Sequence, residues 1–374
     1  MNLYASYNNL LSNHEINSNK NFETYFADDA TIQEFILNKY LIREKGRAFE
    51  VATKRFNLFK RGKHEVSTYL LGCLLKDIIW DDLKNFIRKF TDEKDTDYIF
   101  DFEYIWSLLA VYHDIAVEKE QKLRLDYGDK SLYSTKEIVE CIIKHGFSID
   151  RNIYQDNCSV VPLYHTYQDE LVINYMNMRM KSNKENQGSF DHGIVAGFLL
   201  YDALVDNYFV QKTKAGCKGE EKCFLTRSRN NDKMLTWHEL DLWMYGFIAD
   251  AIIAHNIWFC ELDKKGEKAK YENYQLGYLI VDSQKDNRLS AKNNPLAFYL
   301  GLVDSIEPIK RFPKNNAIYV CKNISVTLKN KEIIIENIDL DDNYNDYKEN
   351  IKRMEMWLKV KVVEVGNKIT VRIL

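Results

Sequence analysis

The stretch Tyr104-Ile-Trp-Ser-Leu-Leu-Ala-Val-Tyr-His113-Asp114-Ile-Ala116 decides how this chain folds. It is an almost wholly apolar run, typical of a buried helix, and it ends on an adjacent imidazole and carboxylate. Burying both groups is costly unless a partner satisfies them, and a divalent metal does so most economically. His113 and Asp114 are therefore predicted to anchor a metal site.

Three more histidines and a late aspartate lie in or beside apolar helical patterns. His64 opens an amphipathic segment, His192 and His255 lie at the edges of apolar patterns, and Asp304 follows the apolar segment that begins at Pro295. The chain thus carries a fixed order of metal-binding residue types: His, His-Asp, His, His and Asp.

This order and its flanking residues resemble the HD superfamily of metal-dependent phosphohydrolases and phosphodiesterases, which are all-helical. The motifs that carry the resemblance are Arg61-Gly-Lys-His64, Trp106 before His113-Asp114-Ile115, Asp191-His192-Gly193, Ala254-His255-Asn256, and Asn294-Pro295-Leu-Ala-Phe298 before Asp304. Together they span roughly residues 60 to 310. The resemblance implies a helical metal-binding domain over most of the chain.

The resemblance also implies a ligand set. In the HD scheme, His64, His113, Asp114 and Asp304 bind one divalent transition metal, and Mn, Fe, Zn, Co or Ni suits imidazole and carboxylate ligands. His192 and His255 either hold a second ion or contact phosphate beside a single one. The alternative for the four ligands is a satisfied buried His-Asp network without metal.

The implied reaction is attack of a metal-activated water on the phosphorus of a nucleotide phosphate. Asp114 and His192 are the expected catalytic residues. Ala116 stands where many relatives have glycine, and no lysine follows closely, so the lysine-bearing subclass that acts on cyclic dinucleotides is not expected. Either another residue, His192 being the candidate, protonates the leaving group, or activity is reduced.

Basic residues near the motifs are candidates for binding substrate phosphate. They are Arg61, Lys63, Lys144 and Arg311. Solvation at the surface is the default explanation for each of them.

Two other functions remain open. One is a non-catalytic HD module that binds nucleotide or metal as a sensor or docking protein, which the missing lysine favours. The other is a di-iron oxygenase of the same superfamily.

Composition limits the partners. The formal net charge is −3, so the chain has no basic excess for a nucleic-acid partner. Seven dispersed cysteines and the absence of a signal-like or membrane-spanning segment predict a cytoplasmic protein. A small phosphate or nucleotide substrate is expected, and homo-oligomer formation is left open.

The predicted fold is mainly α, an HD-type helical bundle with a small C-terminal α+β appendage. The predicted domains are an N-terminal helical extension (1–55), the HD-type domain (56–310, with an exposed insertion at about 211–233) and the appendage (311–374). The main helices are predicted near 63–80, 82–90, 104–112, 135–144, 193–204, 235–259 and 344–356. Strands are predicted at 317–321, 325–328 and 332–336, followed by a hairpin that turns at Gly366-Asn367.

Overall fold

The structure is a computed structural model. It describes residues 1–13, 23, 62–89, 101–117, 124–125, 135–144, 174–175, 177–178, 188–189, 191–217, 223–227, 234–256, 267–276, 288–312, 316–337 and 344–374.

Helices make up most of the regular structure in these residues, as predicted. They are α1 (Leu3–Asn13), α2 (Gly62–Leu75), α3 (Trp80–Arg88), α4 (Phe102–Tyr112), α5 (Thr135–Lys144), α6 (His192–Lys214), α7 (Leu240–Ala254), α8 (Glu267–Asn273), α9 (Pro295–Ile306), α10 (Ala317–Asn323) and α11 (Tyr344–Arg353). Short 3₁₀ turns cover Lys76–Ile78, Ile309–Arg311 and Met354–Met356. The strands are β1 (Arg124–Leu125), β2 (Gly188–Ser189), β3 (Cys223–Arg227), β4 (Met234–His238), β5 (Ile324–Lys329), β6 (Glu332–Asn337), β7 (Val360–Val365) and β8 (Lys368–Ile373).

The chain divides into two compact units. The first contains Met1–Tyr40, Leu58–Val111 and Arg288–Leu374, and the second contains Leu41–Asn57 and Tyr112–Asn287. The domain boundaries expected near residues 56 and 310 are not tested by this division and stay predictions.

Trp106 organises the helical core of the first unit. Its indole Nε1 donates to the carbonyl of Tyr69 at 2.9 Å. A Cβ at Gly72 would approach the indole to 2.1 Å, so α2 and α4 need glycine at this contact. The Tyr299 hydroxyl of α9 donates to the Gly72 carbonyl at 2.6 Å, and the Tyr299 and Trp106 rings meet edge to face at 4.7 Å. This packing makes Trp106, one of the motif residues, a core residue of the first unit.

The first unit also carries a four-stranded antiparallel sheet. Its strand order is β5-β6-β8-β7, and its register places Ile335 of β6 between Val326 and Ile369. These three side chains are buried, as period-two alternation predicts for a sheet with one covered face. The predicted strands at 325–328 and 332–336 and the terminal hairpin are confirmed, and so is the short helix that precedes the hairpin.

One predicted strand is wrong. Residues 317–321 belong to α10, whose first turn is capped by Asn316: the side-chain oxygen accepts from the backbone N–H of Ile318 at 2.8 Å. Ala317, Val320 and Cys321 are buried, which is the i, i+3, i+4 spacing of a helix. A short apolar run cannot be assigned by periodicity alone, and here the cap decides the structure.

In the second unit, α6 and α7 pack as an antiparallel pair. Gly193 at the start of α6 lies against Ile252 near the end of α7, and Gly197 lies against Ala249. Among the described helices, α6 is the one long and apolar enough to cross a membrane, yet most of its length is buried within the protein. That environment is the one expected for a core helix.

The connection between α6 and α7 differs from its prediction. Residues 211–214 continue α6, and Cys223–Arg227 pairs with Met234–His238 as the antiparallel hairpin β3-β4. The helix predicted from residue 235 therefore begins only at Leu240. Met234 and Thr236 are exposed, and the buried Trp237 stacks on Phe224 across the hairpin at 5.8 Å. His238 ends β4 and accepts from the Leu240 N–H, at the first residue of α7, at 3.1 Å.

Candidate metal centre

His113 and Asp114 lie directly after α4, in a turn where the Ile115 N–H donates to the Tyr112 carbonyl at 3.2 Å. The side chain of His113 is fully buried and that of Asp114 nearly so. The apolar helix thus ends on a buried imidazole and carboxylate, as the sequence predicts.

Two further predicted ligands of the second unit, His192 and His255, come from the ends of α6 and α7. His192 is the first residue of α6, and His255 follows the last residue of α7. Because the two helices are antiparallel, these ends lie together, and the histidine rings are 5.2 Å apart. A Cβ at Gly193 would lie 2.7 Å from the Ile252 carbonyl oxygen and 2.8 Å from the His255 ring, so glycine is required for this approach.

One oxygen, Oδ1 of Asp114, lies near the imidazoles of His113, His192 and His255. It is 3.2 Å from Nε2 of His192, 3.6 Å from Nε2 of His113 and 3.7 Å from Nε2 of His255. Two ligand atoms of a tetrahedral ion with Zn–N bonds near 2.1 Å are about 3.4 Å apart. Asp114, His192 and His255 present ligand atoms that all lie within 4.8 Å of one another, and the group therefore fits a metal ion.

The tautomer of His255 supports this fit. Its Nδ1 lies 2.5 Å from the carbonyl oxygen of Ile252, and a carbonyl can only accept, so Nδ1 carries the proton. In the neutral ring, Nε2 then presents a lone pair towards the Asp114 carboxylate. Two acceptors that face each other are stabilised by a cation, and a backbone carbonyl that fixes a histidine in this way is typical of metal ligands.

Asn256 adds a second constraint, at His192. Its side-chain nitrogen Nδ2 lies 3.2 Å from Oδ1 of Asp191 and 2.9 Å from Nε2 of His192. The Asp191 carboxylate is itself held by the Tyr175 hydroxyl at 3.0 Å and by the Gly193 N–H at 2.9 Å, which also caps α6. One hydrogen-bonded group thus joins sequence neighbours of His192 and His255, namely Asp191, Gly193 and Asn256.

In the first unit, His64 lies between two carboxylates. Nε2 is 3.0 Å from Oδ1 of Asp304, and Nδ1 is 2.6 Å from Oε2 of Glu307. Burial and Lys310 lower the pKa of His64, but Glu307 and Asp304 outweigh them and raise it to about 9. Without a metal, His64 is therefore an imidazolium at neutral pH, hydrogen-bonded to Glu307 and ion-paired with Asp304.

Glu307 is fully buried and well anchored. Its carboxylate also accepts from the backbone N–H groups of Ile309 at 2.8 Å and Lys310 at 3.0 Å, and the Lys310 ammonium lies 3.3 Å from Asp304. In many metal sites, a carboxylate that accepts a hydrogen bond from Nδ1 orients the histidine whose Nε2 binds the metal. The same contacts also form a satisfied ion network, so they fit both interpretations of His64.

The structure therefore groups the predicted ligands by unit. His64 and Asp304 come together in the first unit, and His113, Asp114, His192 and His255 come together in the second. That one ion takes His64, His113, Asp114 and Asp304 as ligands stays a prediction, as does the number of ions.

Two residues with clear contacts were not predicted. Glu307 lies three residues after Asp304, just before Pro308, and Asn256 follows His255 directly. The sequence signal for each is its position beside a predicted ligand, but a single carboxylate or amide there is too common to be singled out.

The predicted phosphate-binding residues are only partly placed. Lys63 is a half-buried residue in the first turn of α2, and Arg311 is a half-buried residue of the 3₁₀ turn after α9. Lys144 ends α5, but its side chain and the whole of Arg61 lie outside the described residues. Their role in substrate binding stays a prediction.

No family model matches the chain, and comparisons with curated proteins and with solved structures find no match either. What stands is a buried group of histidines and aspartate with the spacing of metal ligands, in a mainly helical protein.

Proposed function

We propose that this protein is a metal-dependent phosphohydrolase or phosphodiesterase of the HD type that hydrolyses a nucleotide phosphate bond. One observation carries the proposal: Asp114 Oδ1 lies 3.2 to 3.7 Å from three imidazole nitrogens. The motif order given above supplies the reaction class.

A bound transition metal would lower the pKa of a water molecule and polarise a phosphoryl oxygen. The chain's own contribution is to hold the ligands ready. Asp114 is held in a buried turn, and His255 is fixed in the tautomer that presents Nε2. Preorganised ligands of this kind need little rearrangement when an ion binds.

We assign His192 to the side of the candidate site from which substrate approaches. Its side chain is 15% exposed, compared with 0% for His113, 1% for Asp114 and 5% for His255. A ligand that reaches the group from solvent therefore meets His192 first. In a one-ion site that leaves His192 unbound, this imidazole would contact the phosphate and protonate the leaving group, whereas as a metal ligand its Nε2 would do neither.

The test is the metal content of protein purified without chelators, measured by elemental analysis. We expect near-stoichiometric Mn, Fe, Zn, Co or Ni in the wild type and loss of it in Asp114→Ala. Asp206→Ala, which changes an exposed aspartate of α6, is the matched control and should keep the metal. The number of ions per chain decides between one and two, and His64→Ala tests whether His64 is a ligand.

Hydrolysis is measured on the same proteins with bis-p-nitrophenyl phosphate and a panel of nucleotides. Activity that depends on metal and disappears in Asp114→Ala is the expected result. Absence of metal from the wild type, even after Mn or Co is offered, would refute the proposal.

A non-catalytic nucleotide- or metal-binding module is the second candidate. The missing lysine favours it: Ala116 stands where many relatives have glycine, and no lysine follows closely to act as an acid. Tight nucleotide binding without turnover, in each of the five metals, would select this function over the enzyme.

A further inference from the structure

The amide of Asn256 lies at the metal centre and has no role in the ligand set. Its Nδ2 is 2.9 Å from Nε2 of His192, a proposed ligand atom. We propose that Asn256 is a binding residue of this centre, where its side-chain N–H donates to an oxygen of the phosphate held by the ion. This inference rests on the metal site of the proposed function.

The orientation of the amide follows from Asp191. The oxygen and nitrogen of an asparagine side chain are assigned from their hydrogen bonds, and here the carboxylate of Asp191 accepts from Asn256 at 3.2 Å. Since a carboxylate is an acceptor only, the atom near it must be the NH₂ group. The second N–H of the same group is therefore the one beside His192.

Asp191 is a rigid support for this amide. It is 4% exposed, and the Tyr175 hydroxyl and the Gly193 N–H hold its two oxygens. The Asn256 N–H consequently keeps its place near His192 whether or not the imidazole accepts it.

Asn256 and Asp114 require different states of Nε2 of His192. The N–H of Asn256 requires a lone pair on this nitrogen, whereas Asp114 Oδ1, 3.2 Å away, requires a proton or a cation between the two atoms. Nε2 has one lone pair, so it cannot serve both. When a metal ion takes the lone pair, the Asn256 N–H loses its acceptor and becomes a donor directed at whatever else the ion binds.

An oxyanion fits this arrangement best. A phosphate oxygen on the ion carries negative charge, and a fixed N–H beside it makes a charge-assisted hydrogen bond at no cost in reorganisation. An imidazole bound to the ion through Nε2 could not supply this donor, because the lone pair of that nitrogen faces the ion.

Binding of inorganic phosphate to the Co(II)-loaded protein tests the inference, with the visible absorption of the ion as the readout. Asn256→Ala removes the donor, and Asn256→Leu removes it at nearly constant volume. We expect both variants to keep the Co(II) stoichiometry and to bind phosphate about tenfold more weakly or worse, the range for a lost hydrogen bond to a charged group. Asn273→Ala, an exposed asparagine at the end of α8, is the matched control and should bind phosphate as the wild type does.

Each outcome decides the question. Unchanged phosphate affinity in Asn256→Leu with Co(II) retained would overturn the inference and leave the metal site intact. Loss of Co(II) from a folded Asn256→Leu would also overturn it, because the amide would then serve the ion itself. Absence of Co(II) binding in the wild type would instead refute the proposed function.

Discussion

Loading the chelator-treated protein with Mn or Co should raise its unfolding temperature, and Asp114→Ala should abolish that rise. In the proposed function the ion binds the native state through the buried Asp114 and its histidines, so it would stabilise the protein by mass action. At a free metal concentration one hundred times the dissociation constant, this stabilisation is about 2.7 kcal/mol.

The size of the temperature shift depends on how much of the chain unfolds together. The second unit, which holds Asp114, has roughly 190 residues and an unfolding entropy of about 0.4 kcal/mol/K, so its midpoint should rise by about 7 °C. If all 374 residues unfold in one transition, the entropy is about 0.8 kcal/mol/K and the rise about 3 °C.

Differential scanning calorimetry measures the shift with and without metal in the wild type, Asp114→Ala and Asp206→Ala. The wild type and Asp206→Ala should shift alike, and Asp114→Ala by less than about 1 °C, since little affinity remains. An equal shift in Asp114→Ala would show that the metal binds elsewhere and would refute the reasoning.

Three further predictions concern packing and charge. Gly193→Ala should cost about 1–3 kcal/mol of unfolding free energy and lower the metal content, because its Cβ meets the His255 ring at 2.8 Å. Gly246→Ala in α7 has nothing within 4 Å of its Cβ and should instead stabilise the protein by roughly 0.5–1 kcal/mol. Denaturant titration of both variants compares the two effects. Because the pKa of His64 is raised to about 9, its protonation contributes up to about 3 kcal/mol to the free energy of unfolding. This contribution is complete below the unfolded pKa of 6.5 and is lost as the pH rises through 9. Urea titrations of chelator-treated protein at both ends of this range should show the loss, and the loss should vanish in His64→Gln. Tyr299→Phe removes a buried hydrogen bond of 2.6 Å and should cost about 1–2 kcal/mol in the same titration, whereas an unchanged midpoint would show that the bond contributes nothing.

Much of the fold could be predicted, because apolar periodicity reports burial directly. The apolar run to His113, the helix at 62–75 and the β-strands after residue 324 follow the expected patterns. Short segments failed where a local contact decides the structure. Residues 317–321 are helical through the Asn316 cap, and Met234–His238 is a strand through its pairing with β3.

The candidate site was predictable in its metal-binding residue types and not in its geometry. Histidines at helix ends are visible in a sequence, but only the antiparallel packing of α6 and α7 brings His192 and His255 to the same carboxylate. The roles of Glu307 and Asn256 depend on distances of 2.6 and 2.9 Å that no spacing rule contains.

The antiparallel pairing of α6 and α7 keeps the proposed metal ligands away from the connection between the two helices. Both histidines lie at one end of the pair, whereas the β3-β4 hairpin joins the helices at the other end, about 35 Å away along the 23 residues of α6. The hairpin packs on α6 through Tyr208, which contacts Phe224 and Trp237. Insertions between β3 and β4 can therefore give the protein new binding properties during evolution, or carry an engineered label, without moving a proposed metal ligand.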